Sequence, residues 1–177
     1  MAMEYTASQH PSDGLARNRG MTMDELHGHF LEDLSVGMTA IYARTINAAD
    51  ITLFAGVSGD INPLHLNQEF AAGTPFEGCI AHGMLTASLI STVLGTKLPG
   101  PGCIYVSQSL TFVAPVRAGD TVRARATITE IVAERGRVRL QTSCTVGDRP
   151  VVEGEAVVVV QKRNGRAATS GNIVAVG

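Results

Sequence analysis

Charge is scarce in this chain. Only 17% of its 177 residues are Asp, Glu, Lys or Arg, and the formal net charge is −2. An ordinary soluble protein carries roughly a quarter charged residues. No basic patch of the nucleic-acid-binding kind is present, which excludes that partner class. Low charge together with many valines fits a surface partly covered by another subunit. Cysteine is also scarce. Cys79, Cys103 and Cys144 are an odd number without metal-ligand spacing. Reduced, mostly buried thiols in a cytoplasmic protein are therefore expected, not a disulfide framework. No apolar run approaches the ~20 residues of a membrane span, and the N-terminus lacks the apolar stretch of a secretory signal. Internal repeats are absent.

The length suits one domain. Residues 1–30 are polar and aperiodic and read as a poorly ordered leader, with His10, His27 and His29 as solvated side chains. Residues 31–162 read as a single domain and 163–177 as a tail. A first strand is expected from Gly37 to Ile46. Asn47 resembles a helix N-cap, with Asp50 in the capping-box position. Ile51, Phe54, Ala55 and Val57 give the following helix its apolar face, and Ser58-Gly59 end it. A further helical turn is expected at 68–72. Residues 83–95 are apolar or small all round, the pattern of a helix buried on every side. Strand-like runs follow at 103–113, 121–132, 138–146 and 151–160, the last three joined by short turns and hence antiparallel. Arginines 123, 125, 135, 137 and 139 read as the solvent face of two strands, or else as a docking surface for a phosphorylated ligand. One apolar helix and a meander of five strands pack as helix on curved antiparallel sheet, an α+β fold. The residues alone leave the strand order open.

The most informative segment is Gly59-Asp-Ile-Asn-Pro-Leu-His65. Pro63 has no N–H and disfavours helix at Asn62, so the backbone should turn rather than run on as regular helix. A turn can aim the Asp60 carboxylate and the His65 imidazole at one point, as proton transfer requires. The same pair could instead brace the turn from within the core. Asn62 suits bonding to backbone groups in that turn. Gly83 opens the buried helix, where N–H groups are unpaired and the helix dipole favours negative charge. His82, just before it, could touch the site or simply pack.

The run Phe54 to His65, with Phe70-Ala-Ala, Ile80-Ala-His-Gly-Met-Leu, Gln108-Ser-Leu-Thr-Phe, Pro115-Val and Gly154-Glu-Ala-Val-Val, resembles the MaoC-like (R)-specific enoyl-CoA hydratases of the hot-dog fold. The likeness runs from near Leu34 to about Val160. It implies reversible hydration of a trans-2-enoyl-CoA to the (R)-3-hydroxyacyl-CoA. Asp60 and His65 match the family's catalytic pair, and Gly83 matches its carbonyl-polarising N–H. Asn62 and His82 would lie by the substrate. Ser91, Leu94 and Val158 would surround the acyl tail, and their modest size implies short chains. The resemblance implies no metal and no cofactor, coenzyme A being part of the substrate. Its implied partners are an acyl-CoA thioester and a second copy of the chain, in a homodimer or larger homo-oligomer. Two other readings share the fold. One is an acyl-CoA thioesterase, against which the Asp-x-Asn-Pro-x-His run argues. The other is a non-catalytic acyl-CoA-binding module. Dehydration on an acyl carrier protein would change the carrier but not the chemistry.

Overall fold

The computed structural model describes residues 26–163. After a turn of 3₁₀ helix at Leu31–Asp33 come β1 (Thr39–Thr45) and α1 (Ala48–Ser58). Two short helices follow, α2 (Pro63–Leu66) and α3 (Gln68–Ala72), and then the long helix α4 (Gly83–Thr96). The remaining strands are β2 (Ile104–Phe112), β3 (Thr121–Val132), β4 (Arg137–Val146) and β5 (Arg149–Val159). All five strands form one antiparallel sheet in the order β1-β3-β4-β5-β2. Consecutive β1 and β2 thus lie on opposite edges. The segment between them, which carries α4, crosses the sheet.

Alternation along β3 and β4 fixes which face meets the helix. Val122, Ala124, Ala126 and Ile128 of β3 are buried, as are Val138, Leu140, Thr142 and Cys144 of β4. All but Thr142 pack with Leu89, Ile90, Val93 and Leu94 of α4 in one core that also holds Val151, Val152, Ala156 and Val158. Each buried Val, Leu or Ile among them contributes about 1.5–3 kcal/mol through burial. The intervening Arg123, Arg125, Arg137 and Arg139 are exposed on the other face, and Arg139 is bonded to Glu130 and Glu155. They form a solvent face, as one of the two readings of the arginines expected.

Helix α4 departs from expectation in one respect. It is not buried all round, because Met84, Ser88, Ser91 and Gly95 form an exposed stripe along it. The thiols depart too. Cys144 is buried, but Cys79 and Cys103 are only half-buried. Most of the expected N-terminal leader and C-terminal tail falls outside the described residues, and so does His10. Residues 26–30, however, pack into the domain. Gly28 and His29 donate backbone N–H bonds to Pro101 and Pro99, and the His27 ring stacks on Phe30. His27 is therefore a packed side chain rather than a solvated one.

Candidate active site

The segment joining α1 to α4 is set by local chemistry. The Asn47 side chain accepts from the Asp50 N–H at 3.0 Å, and the Asp50 carboxylate accepts from the Asn47 N–H at 2.9 Å. This reciprocal capping box starts α1. Gly59 ends it in the left-handed region, with φ 77°, where glycine carries no steric penalty. Asn62 Oδ1 accepts from the Leu64 N–H at 3.0 Å and caps α2, with Pro63 in its first turn. His65 accordingly sits on a one-turn helix, where no regular helix was expected. Proline suits that position because the first helical N–H needs no partner. Asn62 builds the turn and is not among the residues lining the nearby cavity.

That turn brings Asp60 and His65 together, with Asp60 Oδ2 lying 4.0 Å from His65 Nε2. The His65 Nδ1–H donates to the Ile80 carbonyl at 2.9 Å. In the neutral ring this leaves Nε2 as an acceptor facing the carboxylate. Two acceptors about 4 Å apart are too far for a direct bond and suitably placed for one water that donates to both. The His65 side chain is nearly buried, whereas that of Asp60 is half exposed.

His82 underpins the pair. Its ring is 1% exposed and lies on the His65 ring at a centroid distance of 3.8 Å. The Nε2–H donates to the Asp60 backbone carbonyl at 2.9 Å, and the Phe54 ring lies tilted against the His82 ring at a centroid distance of 5.0 Å. Among the described residues, His82 Nδ1 is buried without a hydrogen-bond partner. His82 thus both packs and touches the site, joining the two roles the sequence left open. Asp60, His65 and His82 also offer one ligand atom each within 4.8 Å of one another, a set able to hold a cation. Both rings already commit one nitrogen to a main-chain carbonyl.

These groups face a cavity of about 480 Å³ that reaches the first turn of α4 at Gly83. Among the described residues no side chain caps that turn, which leaves its N–H groups open to a ligand. The cavity is otherwise mostly apolar, lined by Phe76, Ile80, Met84, Phe112, Val113 to Val116, and Val151 with Val152. Ile80, Met84, Phe112 and Pro115-Val116 belong to the segments that carry the resemblance, but none was expected as a wall of the site, since β2, β5 and the loop after β2 reach it only through the sheet order. A Cβ on Gly83 would come within 2.7 Å of the Phe112 ring. A side chain at this position would therefore have to displace the Phe112 ring.

The three expected tail residues separate. Ser91 lines a second cavity of about 520 Å³, between α4 and β2, which meets the first at Met84. Leu94 and Val158 are shut in the core, 1% and 0% exposed, and line neither cavity. Tyr105, also on the second cavity, has its phenol pushed up to about 12, first by burial and then by the Cys103 thiol nearby.

Comparison with known proteins agrees with this architecture. The MaoC like domain family matches residues 35–153. An (R)-specific enoyl-CoA hydratase of Rhodospirillum rubrum is 54% identical over 143 residues, which cover 81% of this chain and 99% of that protein. A 3-hydroxybutyryl-CoA dehydratase of Methylorubrum extorquens is 51% identical over 80% of this chain and 90% of its own length. Among solved structures, the (R)-hydratase from A. caviae involved in PHA biosynthesis superimposes with a TM-score of 0.71 at 45% identity, covering 73% of this chain and 98% of that one. No described helix is long and apolar enough to cross a membrane. With its family match, its relatives and its helix-on-sheet architecture in agreement, the chain belongs to the MaoC-like domain family and has the hot-dog fold.

Proposed function

We propose that this protein is a hydro-lyase that reversibly adds water to a short trans-2-enoyl-CoA, giving the (R)-3-hydroxyacyl-CoA. The observation that carries this reading is the pair of acceptors, Asp60 Oδ2 and His65 Nε2, 4.0 Å apart on a cavity that ends at the uncapped N-terminus of α4. Relatives whose names state hydration of enoyl-CoA and dehydration of 3-hydroxybutyryl-CoA support the substrate class, the short chain and the (R) configuration.

The geometry supports the following steps. A water held between Asp60 and His65 gives its proton to the Asp60 carboxylate as its oxygen bonds to the β-carbon. Electron density moves through the conjugated system onto the thioester oxygen, which the Gly83 N–H and the α4 dipole stabilise. The proton then passes over His65 to the α-carbon, so one water is consumed and nothing else is released. Asn62 holds the turn, and His82 holds both Asp60 and His65 in place. Coenzyme A enters as part of the substrate, and the reaction draws on no separate cofactor. Three free thiols fit a reducing, cytoplasmic setting.

A homodimer completes the reading. Strand β2 is a sheet edge exposed on both faces, with Ile104, Tyr105 and Val106 outward and Phe112-Val113 at its end. The exposed stripe of α4 lies across the second cavity from it. An unpaired edge flanked by apolar side chains favours pairing with a second copy. Sedimentation of the wild type and of Val106→Lys would test this, and a monomeric wild type would sink it.

The activity is tested by loss of enoyl absorbance with crotonyl-CoA, comparing the wild type with Asp60→Asn and His65→Gln. Rates falling by about 10²–10⁴ in both folded variants are expected for lost general acid–base catalysis. Release of free thiol without hydration would instead identify a thioesterase. Binding of acyl-CoA without turnover would identify a binding module.

A further inference from the structure

Two arginines beside the catalytic cavity are held in an unusual way. The Arg117 guanidinium donates to the carbonyls of Phe76 and Cys79 and lies over Gly78, where a Cβ would come within 3.3 Å of its Nη1. Arg149 donates from Nη1 to the Pro115 carbonyl at 3.0 Å. Phe76 and Pro115 both line the cavity, while both arginines are exposed. Exposed groups fastened to lining residues mark the cavity's rim. A guanidinium bonded to a carboxylate has its charge neutralised, but one bonded to peptide carbonyls keeps it. Among the described residues, the sole carboxylate paired with either is Asp120, 4.0 Å from Arg149 Nη2, and that oxygen already accepts the Arg117 backbone N–H at 2.8 Å. Each guanidinium has five N–H donors, so several stay available after the carbonyl bonds.

We infer that Arg117 and Arg149 form an anion-docking rim that takes phosphate from the carrier of the thioester substrate. The inference rests on the thioester reading above and adds the part of the site that grips the carrier. A planar fork fixed in advance suits a phosphate, which accepts paired N–H bonds. With two guanidiniums against the one carboxylate of Asp120, the rim keeps a net positive charge and also attracts the substrate before contact. The two arginines are positioning residues, since neither reaches the reacting atoms.

The test uses crotonyl thioesters of coenzyme A, of 4′-phosphopantetheine and of pantetheine, with wild type, Arg149→Met, Arg149→Lys and Arg117→Lys. For Arg149→Met, KM on crotonyl-CoA should rise about tenfold, the effect of one lost charge-assisted bond, with kcat little changed. Its kcat/KM on the uncharged pantetheine thioester should match wild type. Arg149→Lys should recover part of the loss. Salt should depress wild-type kcat/KM on crotonyl-CoA more than that of Arg149→Met. A loss that persists on phosphopantetheine assigns the arm's phosphate, and a loss confined to coenzyme A assigns the nucleotide's phosphates. Equal losses on all three thioesters would overturn the proposal, and so would unchanged KM on crotonyl-CoA. Calorimetry with coenzyme A alone separates this from failure of the hydratase reading. A wild type that turns nothing over yet binds coenzyme A more tightly than Arg149→Met would sink the activity and keep the rim. Equal binding by the two would sink the rim.

Discussion

Replacing Gly83 by Ala tests the site at the point where fold and chemistry meet. The added Cβ would lie 2.7 Å from Phe112 Cε1 and 2.8 Å from Cδ1. Ordinary contact begins near 3.4 Å, so the ring must give by about 0.7 Å. Phe112 is 51% exposed and stands at the end of an edge strand, so it can swing outward. Overpacking of this kind costs about 1–3 kcal/mol, and exchanging glycine for alanine in a helix returns up to about 1 kcal/mol. The net loss is then about 0–2 kcal/mol, or a fall in Tm of no more than about 8 °C. The rate should suffer far more. A methyl group at the helix entrance holds the thioester oxygen off the N–H groups, and losing one such donor costs about 10²–10³ in kcat. Thermal melts and crotonyl-CoA kinetics on Gly83→Ala, Phe112→Ala and the double variant separate the two effects. Phe112→Ala in the Gly83→Ala background should restore stability and leave the rate low. A double variant with wild-type kcat would show that the methyl acts only by displacing the ring. The role given to the α4 N-terminus would then be refuted.

Other outcomes follow from the same contacts. His82→Ala removes a buried ring and its bond to the Asp60 carbonyl, and should cost about 2–4 kcal/mol in urea unfolding and about 10²-fold in kcat. His82→Phe should keep more of the stability and lose a similar amount of rate, as the same two measurements will show. In Gly154→Ala the new Cβ would meet the Ser109 carbonyl at 1.9 Å between β5 and β2. That variant should lose more than about 3 kcal/mol and, by sedimentation, any assembly made through β2. Burial pushes the Cys144 thiol from 9.0 up to about 12. Between those values the unfolded chain gives up a proton that the folded one keeps, so stability should fall as pH rises from 9 towards 12. Unfolding measured across that range should be less steep in Cys144→Ala.

Much of this architecture was legible because its signals are local. The capping box at Asn47 and Asp50, the stop at Gly59 and the alternation of Val122 to Ile128 each depend on neighbours a few residues away, and each element stands where its pattern put it. The Asp60–His65 convergence was legible for the same reason, because five residues and one proline restrict the turn. What failed was non-local. Placing β1 and β2 on opposite edges is a choice of pairing, and no periodicity records it. Hence the place of Phe112 to Val116 and of Val151 as cavity walls was invisible beforehand, although Phe112 and Pro115-Val116 stood in segments that carry the resemblance, and so was the contact of Phe112 with Gly83. The exposed stripe on α4 was missed for a related reason. Serine and glycine there read as small core residues, whereas the fold turns Ser88, Ser91 and Gly95 outward. Leu94 and Val158, matched to a tail pocket by resemblance, are enclosed in the core.

The groups assigned to water and carbonyl, Asp60, His65, His82 and Gly83, all lie within one connecting segment, whereas the cavity's far wall comes from strands and loops later in the chain. Selection can therefore act on the two halves separately. Substitutions at positions such as Val113, Pro115 or Val151 can reshape which acyl groups are admitted while the proton-handling segment stays untouched. Descendants of one ancestor can then diverge in diet without reinventing the reaction.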